Sequence, residues 1–399
     1  MKVMRFVLGA CLSAVVVPAY AKVSAEEAKQ LGGSTLTEFG AERAGNADGS
    51  IPAYTGGLAA QPGVSNQQSL PDPFASDKLL YSVDAKNVDR YSAILTAGTV
   101  AMIKKYPTFR VDVYPTHRTA SYPQFVIKNI LRNAVTAELI GNVQGDGVSG
   151  SYGGIPFPIP KNGNEAMWNA TLKWQGIWDI DWAGAGIFID AGGHQTLTNQ
   201  TNNDAFYPYY DPARTSLPDA FFGKSIDSNI APAAQDGSAD LLEYPTNYSD
   251  HDQAIYIYTV GQRRVRLAPE FKYDTPVAQA GGAFVYDEIS LFTGRQDRFD
   301  FKLVGKKEML VPYNLFKLNS WSTPSEALHT PHHLNPDYVR FEKHRVWVVE
   351  ATLKSGKRHI YSRRTFYIDE DGWLVLACDE YDQSGAMYRV GFSNNFPVY

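Results

Sequence analysis

Cysteine is nearly absent: 399 residues hold two, Cys11 and Cys378. Cys11 lies in an N-terminal stretch that reads as removable, which would leave a single thiol, so no intramolecular disulfide is available and stability has to come from core burial. Beyond that N-terminal stretch no apolar run approaches membrane-spanning length, which argues against a helical membrane protein. No Lys/Arg block stands out to neutralise phosphates, so nucleic acid is not an expected partner. Missing as well are a Gly-x-Ser-x-Gly elbow, a His-Glu-x-x-His pair, a phosphate-cradling P-loop and paired cysteines; the sequence offers no catalytic residue, no cofactor site and no enzyme class.

What is present begins with an export signal. Lys2 and Arg5 precede the uncharged apolar stretch Val7–Val17, and Ala19-Tyr20-Ala21 supplies small residues for cleavage after Ala21, the pattern of a secretory leader. This predicts a periplasmic protein, with outer-membrane association open. Leu8-Gly9-Ala10-Cys11 resembles a lipobox and is the rival reading, although an h-region ending at Ala10 would be very short. Removal of residues 1–21 takes Lys2 and Arg5 with it, leaving 35 basic against 42 acidic side chains and a net charge of −7. A hydrophobic fraction of 44% argues against disorder.

Ser24 and Glu27 form a possible capping box for a short helix over 24–31. Glycine-rich punctuation from Gly32 to Gly57, and Pro71-Asp72-Pro73 after it, reads as ordered loop; residues 22–86 are therefore read as an extension packed on a main domain of 87–399. Apolar spacing predicts a helix over 87–106 stopped by Pro107, a strand over 109–114, and helices over 123–132 and 163–175. Most of the remainder reads as strand: 179–190, 193–200, 254–260, 263–267, 299–305, 308–312, 344–353, 358–368, 373–381 and 386–392. The short turns at 354–357, 369–372 and 382–385 permit only antiparallel neighbours. Residues 208–250 are expected to form an irregular excursion.

The strand from Arg345 carries Trp347, Val349, Ala351 and Leu353 on one face, and Val346 and Val348 on the other. Apolar residues on both faces predict a sheet covered twice, by helices or by a ligand. The fold class is therefore α+β: a large curved antiparallel sheet, an open half-barrel, covered by a few helices. Such a sheet can enclose an oily cavity, or its side chains can interdigitate as a dry core.

Gly40-Ala-Glu-Arg-Ala-Gly-Asn-Ala-Asp-Gly49, Ile51-Pro-Ala-Tyr-Thr-Gly-Gly57, Gly261–Pro269, Asp300–Met309 with Pro312-Tyr-Asn314, and His333–Arg340 through Arg345–Thr352 resemble the blocks of domain-of-unknown-function family 1329. Members of that family resemble periplasmic and outer-membrane lipoprotein-sorting carriers. The resemblance implies a half-barrel over helices and a lipid-like or other apolar passenger. It also implies a transport accessory role beside an inner-membrane efflux-type transporter and an outer-membrane protein. This chain is about twice the length of the small carriers, and segments such as 30–90 and 208–250 have no counterpart among them.

The candidate ligand-binding residues are Tyr256, Tyr258, Trp347 and Trp168 as apolar wall, with Arg264 and Arg266 as a rim for an anionic headgroup; pairing with acidic neighbours is the plainer role for the arginines. His329, His332 and His333 cluster in a proline-bounded loop, with no carboxylate at helical spacing, so no metal site is expected. Asn46 and Asp48 could suggest a cation site, but their spacing more plainly suits Asx turns. Asp287, Glu288 and Asp297 could serve a hydrolase only if they converge. A ligand-free module that docks on a transporter or outer-membrane protein is the main alternative to a carrier.

Overall fold

The computed structural model of the chain describes residues 23–59 and 70–398. The export signal, its cleavage point and Cys11 lie outside the described residues. The α-helices are short and local in origin. α1 (Ala25–Ala28) carries the capping box of Ser24 and Glu27. The single helix expected over 87–106 is instead broken into α2 (Val88–Tyr91) and α3 (Ala97–Lys105). The break sits at Thr96, whose hydroxyl accepts from Thr99 N and starts a new helix in place of continuing the old one. α4 (Gln124–Thr136) buries Val126, Ile130, Asn133 and Ala134, one face at helical spacing. α5 (Gly163–Thr171) is sunk almost entirely into the core. Its first residue lies against the backbone of Phe301, where a Cβ would meet atoms at 2.6 Å.

The strands assemble into two open sheets, antiparallel except where β2 (Val111–Val113) meets β12 (Phe341–Leu353) in parallel, and a small hairpin. β1 (Tyr81–Val83) and β2 (Val111–Val113) begin the first sheet, and β3 (Glu138–Ile140) with β4 (Gly147–Ser149) forms the hairpin. Six consecutive strands build the second sheet as a meander: β5 (Trp178–Ile189), β6 (Gln195–Phe206), β7 (Phe221–Ala231), β8 (Ala239–Pro245), β9 (Ala254–Thr259) and β10 (Arg264–Leu267). β11 (Phe299–Pro312), β12 (Phe341–Leu353), β13 (Arg363–Asp369), β14 (Val375–Tyr381) and β15 (Met387–Phe392) complete the first, seven-stranded sheet.

Residues 221–245, expected to be irregular, thus supply β7 and β8. Ser225, Asp227 and Asn229 hide the strand signal there, because β7 is polar on one face and propensity scales count those residues against a strand. The two strands expected at 299–305 and 308–312 are one, with a bulge at Val304 and Gly305. Conversely, 354–362 is a longer irregular link before β13.

Both faces of the first sheet are covered, as the doubly apolar β12 requires. Val349 and Ala351 join Phe301, Phe366 and Trp168 in the main core, whereas Val346 and Val348 pack with Met309, Val311 and Tyr367 on the other side. Cys378 sits in the main core, 1% exposed, and burial pushes its thiol well above the usual range.

The turn between β13 and β14 fastens the N-terminal segment to this sheet. Trp373 Nε1 donates to Phe39 O at 3.1 Å, and Glu42 N donates to Glu370 Oε2 at 3.2 Å. Arg118, its side chain 2% exposed, forks onto Asp371 at 2.8 and 2.6 Å and also reaches Glu370 at 3.4 Å. Removing one member of such a buried pair strands the other charge. Arg118→Ala is expected to destabilise the fold by about 3–5 kcal/mol, measurable by chemical denaturation.

Candidate functional site

Register across the six-stranded sheet places residues of opposite character on its two faces. Pairing runs Ile180↔Asp204↔Ile226↔Leu241↔Tyr256↔Leu267, one row in which five of six side chains are apolar. The adjoining row behind it, on the reverse face, reads Asp181↔Asn203↔Asp227↔Asp240↔Ile257↔Arg266. A globular sheet normally turns its apolar row inward. Here Ile180, Ile226 and Leu267 are exposed, and so are Trp178 and Val265 on the same face.

The reverse face is the covered one. Leu242 and Ile255 are buried there against Val277 and Tyr286, with Phe271 and Phe284 beside them. Beneath that cover Tyr248, Tyr273, Tyr286 and Arg295 leave about 20 Å³, room for roughly one water. Burial raises the carboxyls of Asp179 and Asp227 and pushes the Lys173 ammonium down to about 8. This side is packed, whereas the open side is apolar along one row and carries Asp204 within it and the Lys224–Glu243 pair beside it.

The open face leads into a cleft. After the bulge at 182–183, Gly184 pairs with Thr201, which lies on the same side as Asn203, the partner of Asp181. Alternation then returns Ala185 to the side of Ile180; a second register shift follows between Gly186 and Ile187, where Thr198 of β6 is the extra residue, and Ile187 and Ile189 line one cleft with Ala185. These three, with Asp190 and Ala191, form one wall of a cleft of about 470 Å³; Tyr106 and the loop His329–Leu334 form the other. That volume lies within the range of small-molecule sites.

The loop wall is rigidly built. Thr330 Oγ1 donates to His333 O at 2.6 Å, and His329 bridges to Leu334. His333 Nδ1 lies 2.7 Å from Leu334 O, so it must carry the proton and donate; Nε2 then accepts from Thr108 Oγ1 at 2.8 Å. His332 stacks on Tyr106 at 5.1 Å. Opposite, hydrogen bonds from His194 N and its ring hold the Asp190 carboxyl below the usual carboxylate range. The walls meet where Gly193, at φ 82°, touches Pro331; a Cβ there would come within 2.8 Å of the proline ring.

The sequence-derived candidates fall in four places. Tyr256 and Tyr258 share the open face of β9, opposite Leu267 and Val265. Arg264 and Arg266 turn to the reverse face of β10, where Arg266 pairs with Glu270 at 2.9 Å and lies over the Phe271 ring. Trp168 is sealed in α5 at 1% exposure, donating from Nε1 to Gly145 O. Trp347 is half-buried on β12 between the Lys306 ammonium and the Trp373 ring. Asp287 is engaged by His359 and Arg364, Glu288 by Tyr361 and Arg389, and Asp297 by Tyr273 and Lys357. His359 itself is fully used, with Nε2 on Asp287 and Nδ1 accepting from Tyr361 N. Sequence reasoning passed over Ile180, Ile187, Ile226 and Leu267. Their alternation was visible, but which face the fold leaves uncovered was not.

Residues 82–399 match the family described as "Protein of unknown function (DUF1329)". An uncharacterized protein of Pseudomonas aeruginosa is 40% identical over 397 residues, 95% of this chain and 83% of that one. Among solved structures, a DUF1329 family protein from Desulfovibrio piger is similar at 16% identity and TM-score 0.34, over 54% of this chain and 69% of its own. An outer membrane lipoprotein-sorting protein domain described as putative, from Vibrio parahaemolyticus, gives 14% and 0.38 over 59% and 78%. A LolA superfamily protein from Nitrosomonas europaea gives 10% and 0.32 over 60% and 80%.

Gly193→Val forces a β-branched residue into left-handed backbone and against Pro331. A loss of about 1–3 kcal/mol is expected, with faster amide hydrogen exchange confined to 190–194 and 329–334.

Proposed function

Since the chain belongs to the DUF1329 family, whose description assigns no activity, we propose a function from the geometry of its open sheet: it holds one amphiphilic, lipid-like molecule and shields it from water. One observation carries this reading, the apolar row Ile180, Ile226, Leu241, Tyr256 and Leu267, interrupted by Asp204 and exposed at Ile180, Ile226 and Leu267, with Ala185, Ile187 and Ile189 beyond it in the 470 Å³ cleft. A hydrocarbon tail laid on this face removes apolar surface from water on both partners, at about 25 cal/mol per Å². The Asp190, His329 and His332 end of the cleft offers a polar terminus for a headgroup. Together with the leader-like N-terminus, this describes a periplasmic carrier or transport accessory. An inner-membrane efflux-type transporter and an outer-membrane protein are its proposed partners. Among the described residues no helix is long and apolar enough to cross a membrane.

A second reading rests on β10. This edge strand is exposed at all four residues and borders the same apolar row, so it could accept a strand from a protein partner without any ligand.

Organic extracts of the protein purified from its host envelope, analysed by mass spectrometry, are expected to contain a recurrent amphiphile. Ile187→Asp and Ile226→Asp are expected to weaken binding of an apolar fluorescent probe by about tenfold or more, given roughly 1.5–3 kcal/mol per buried aliphatic side chain, while thermal stability stays near that of the parent. Empty extracts and unchanged probe binding, with a protein partner crosslinked through β10, would favour the docking reading.

A further inference from the structure

Away from the sheet face just described, His344 on β12, Asp369 at the end of β13 and Asp371 in the turn after it bring one potential ligand atom each within 4.8 Å of one another. All three are buried, at 2%, 1% and 1% exposure. We propose that these residues form a binding site for one divalent transition-metal cation of the zinc class, which ties the β13–β14 turn to β12.

The orphaned atom is Asp369 Oδ1. Oδ2 of the same carboxylate is satisfied, accepting from Tyr313 OH at 2.9 Å and Gly372 N at 2.7 Å. Oδ1 is buried with no hydrogen-bond partner. A buried carboxylate oxygen left in this state is costly, and a cation is the partner that a carboxylate of fixed orientation accepts most readily.

The histidine carries the arrangement expected around a metal ligand. His344 Nε2 lies 3.0 Å from Glu342 Oε2, and Glu342 is itself held by Arg340, Asn314 and His117 N. An imidazole that donates one N–H to a buried carboxylate presents a lone pair on its other nitrogen, with raised basicity. Here Nδ1 is that atom, and the stack of His344 on Tyr313, with ring centroids 3.7 Å apart, fixes the ring plane. Asp371 is forked by Arg118 through both oxygens, which leaves a lone pair on each. One nitrogen and two carboxylate oxygens suit Zn²⁺ or its neighbours better than the all-oxygen preference of Mg²⁺ or Ca²⁺. Zinc ligands lie at about 2.0–2.2 Å, so a bound ion would draw the three atoms together by up to about 1 Å. Arg345 and Lys306 neutralise Glu370 alongside and Arg118 balances Asp371, so among the described residues Asp369 is the carboxylate of the trio with no lysine or arginine paired to it.

Because the site is enclosed, loading is expected during refolding. The full chain, unfolded in denaturant with chelator and refolded with Zn²⁺, is expected to retain one Zn²⁺ per molecule after dialysis and to melt higher than the chain refolded without metal. Co²⁺ in its place is expected to give a visible absorption band that Zn²⁺ abolishes. The exposed-histidine variant His194→Gln/His251→Gln/His332→Gln should keep both signals. His344→Gln should lose them, and Glu342→Gln should weaken binding about 10–100-fold. If His344→Gln does not refold, the parent and the triple variant still decide. No retained metal in the parent, loss of the signals in the triple variant, or an undiminished signal in folded His344→Gln would each overturn the assignment.

Discussion

The buried charge of Arg118 sets the terms for the rest of the structure. A guanidinium with 2% side-chain exposure needs anionic partners at fixed positions, and Asp371 and Glu370 supply them from the β13–β14 turn. Those same residues recruit Arg345, Lys306 and the backbone of Glu42. The loop that follows α1 is thereby held against the β13–β14 turn of the seven-stranded sheet. Among the described residues Cys378 is the one cysteine, so no disulfide does this there. Ion pairs largely cut off from water do it instead, weak as net stabilisers but costly to break by removing one partner.

Much of this architecture was legible beforehand because it rests on local rules. The capping box at Ser24, the amphipathic stripe of α4 and the doubly apolar β12 follow from spacing alone. The long resemblance blocks placed the chain in its family. Failures came where a local signal was overruled or absent. Thr96 restarted a helix in an apolar stretch that otherwise looked continuous. β7 is half polar because its covered side carries Ser225, Asp227 and Asn229, the reverse of the rule by which strands are recognised.

The site was less legible than the fold for a related reason. Tyr256 and Tyr258 were picked out as aromatic strand residues, and they do lie on the open face. Their neighbours across the sheet are set by register over six strands, which no single-strand pattern encodes. Arg264 and Arg266 alternate with Val265 and Leu267, so whichever face the apolar pair takes, the arginines must take the other. Trp168 illustrates the opposite limit: a large aromatic on a helix reads the same whether it lines a cavity or fills it.

The cleft walls come from β5 with its following turn and from the loop before β12, two segments that belong to different sheets. Among the described residues no hydrogen bond joins them; Gly193 faces Pro331 with room for no side chain between. A gap closed only in that way can widen for the loss of a few dispersion contacts, each worth about 0.1–0.2 kcal/mol. On the carrier reading, entry and exit would then need no partial unfolding of either sheet.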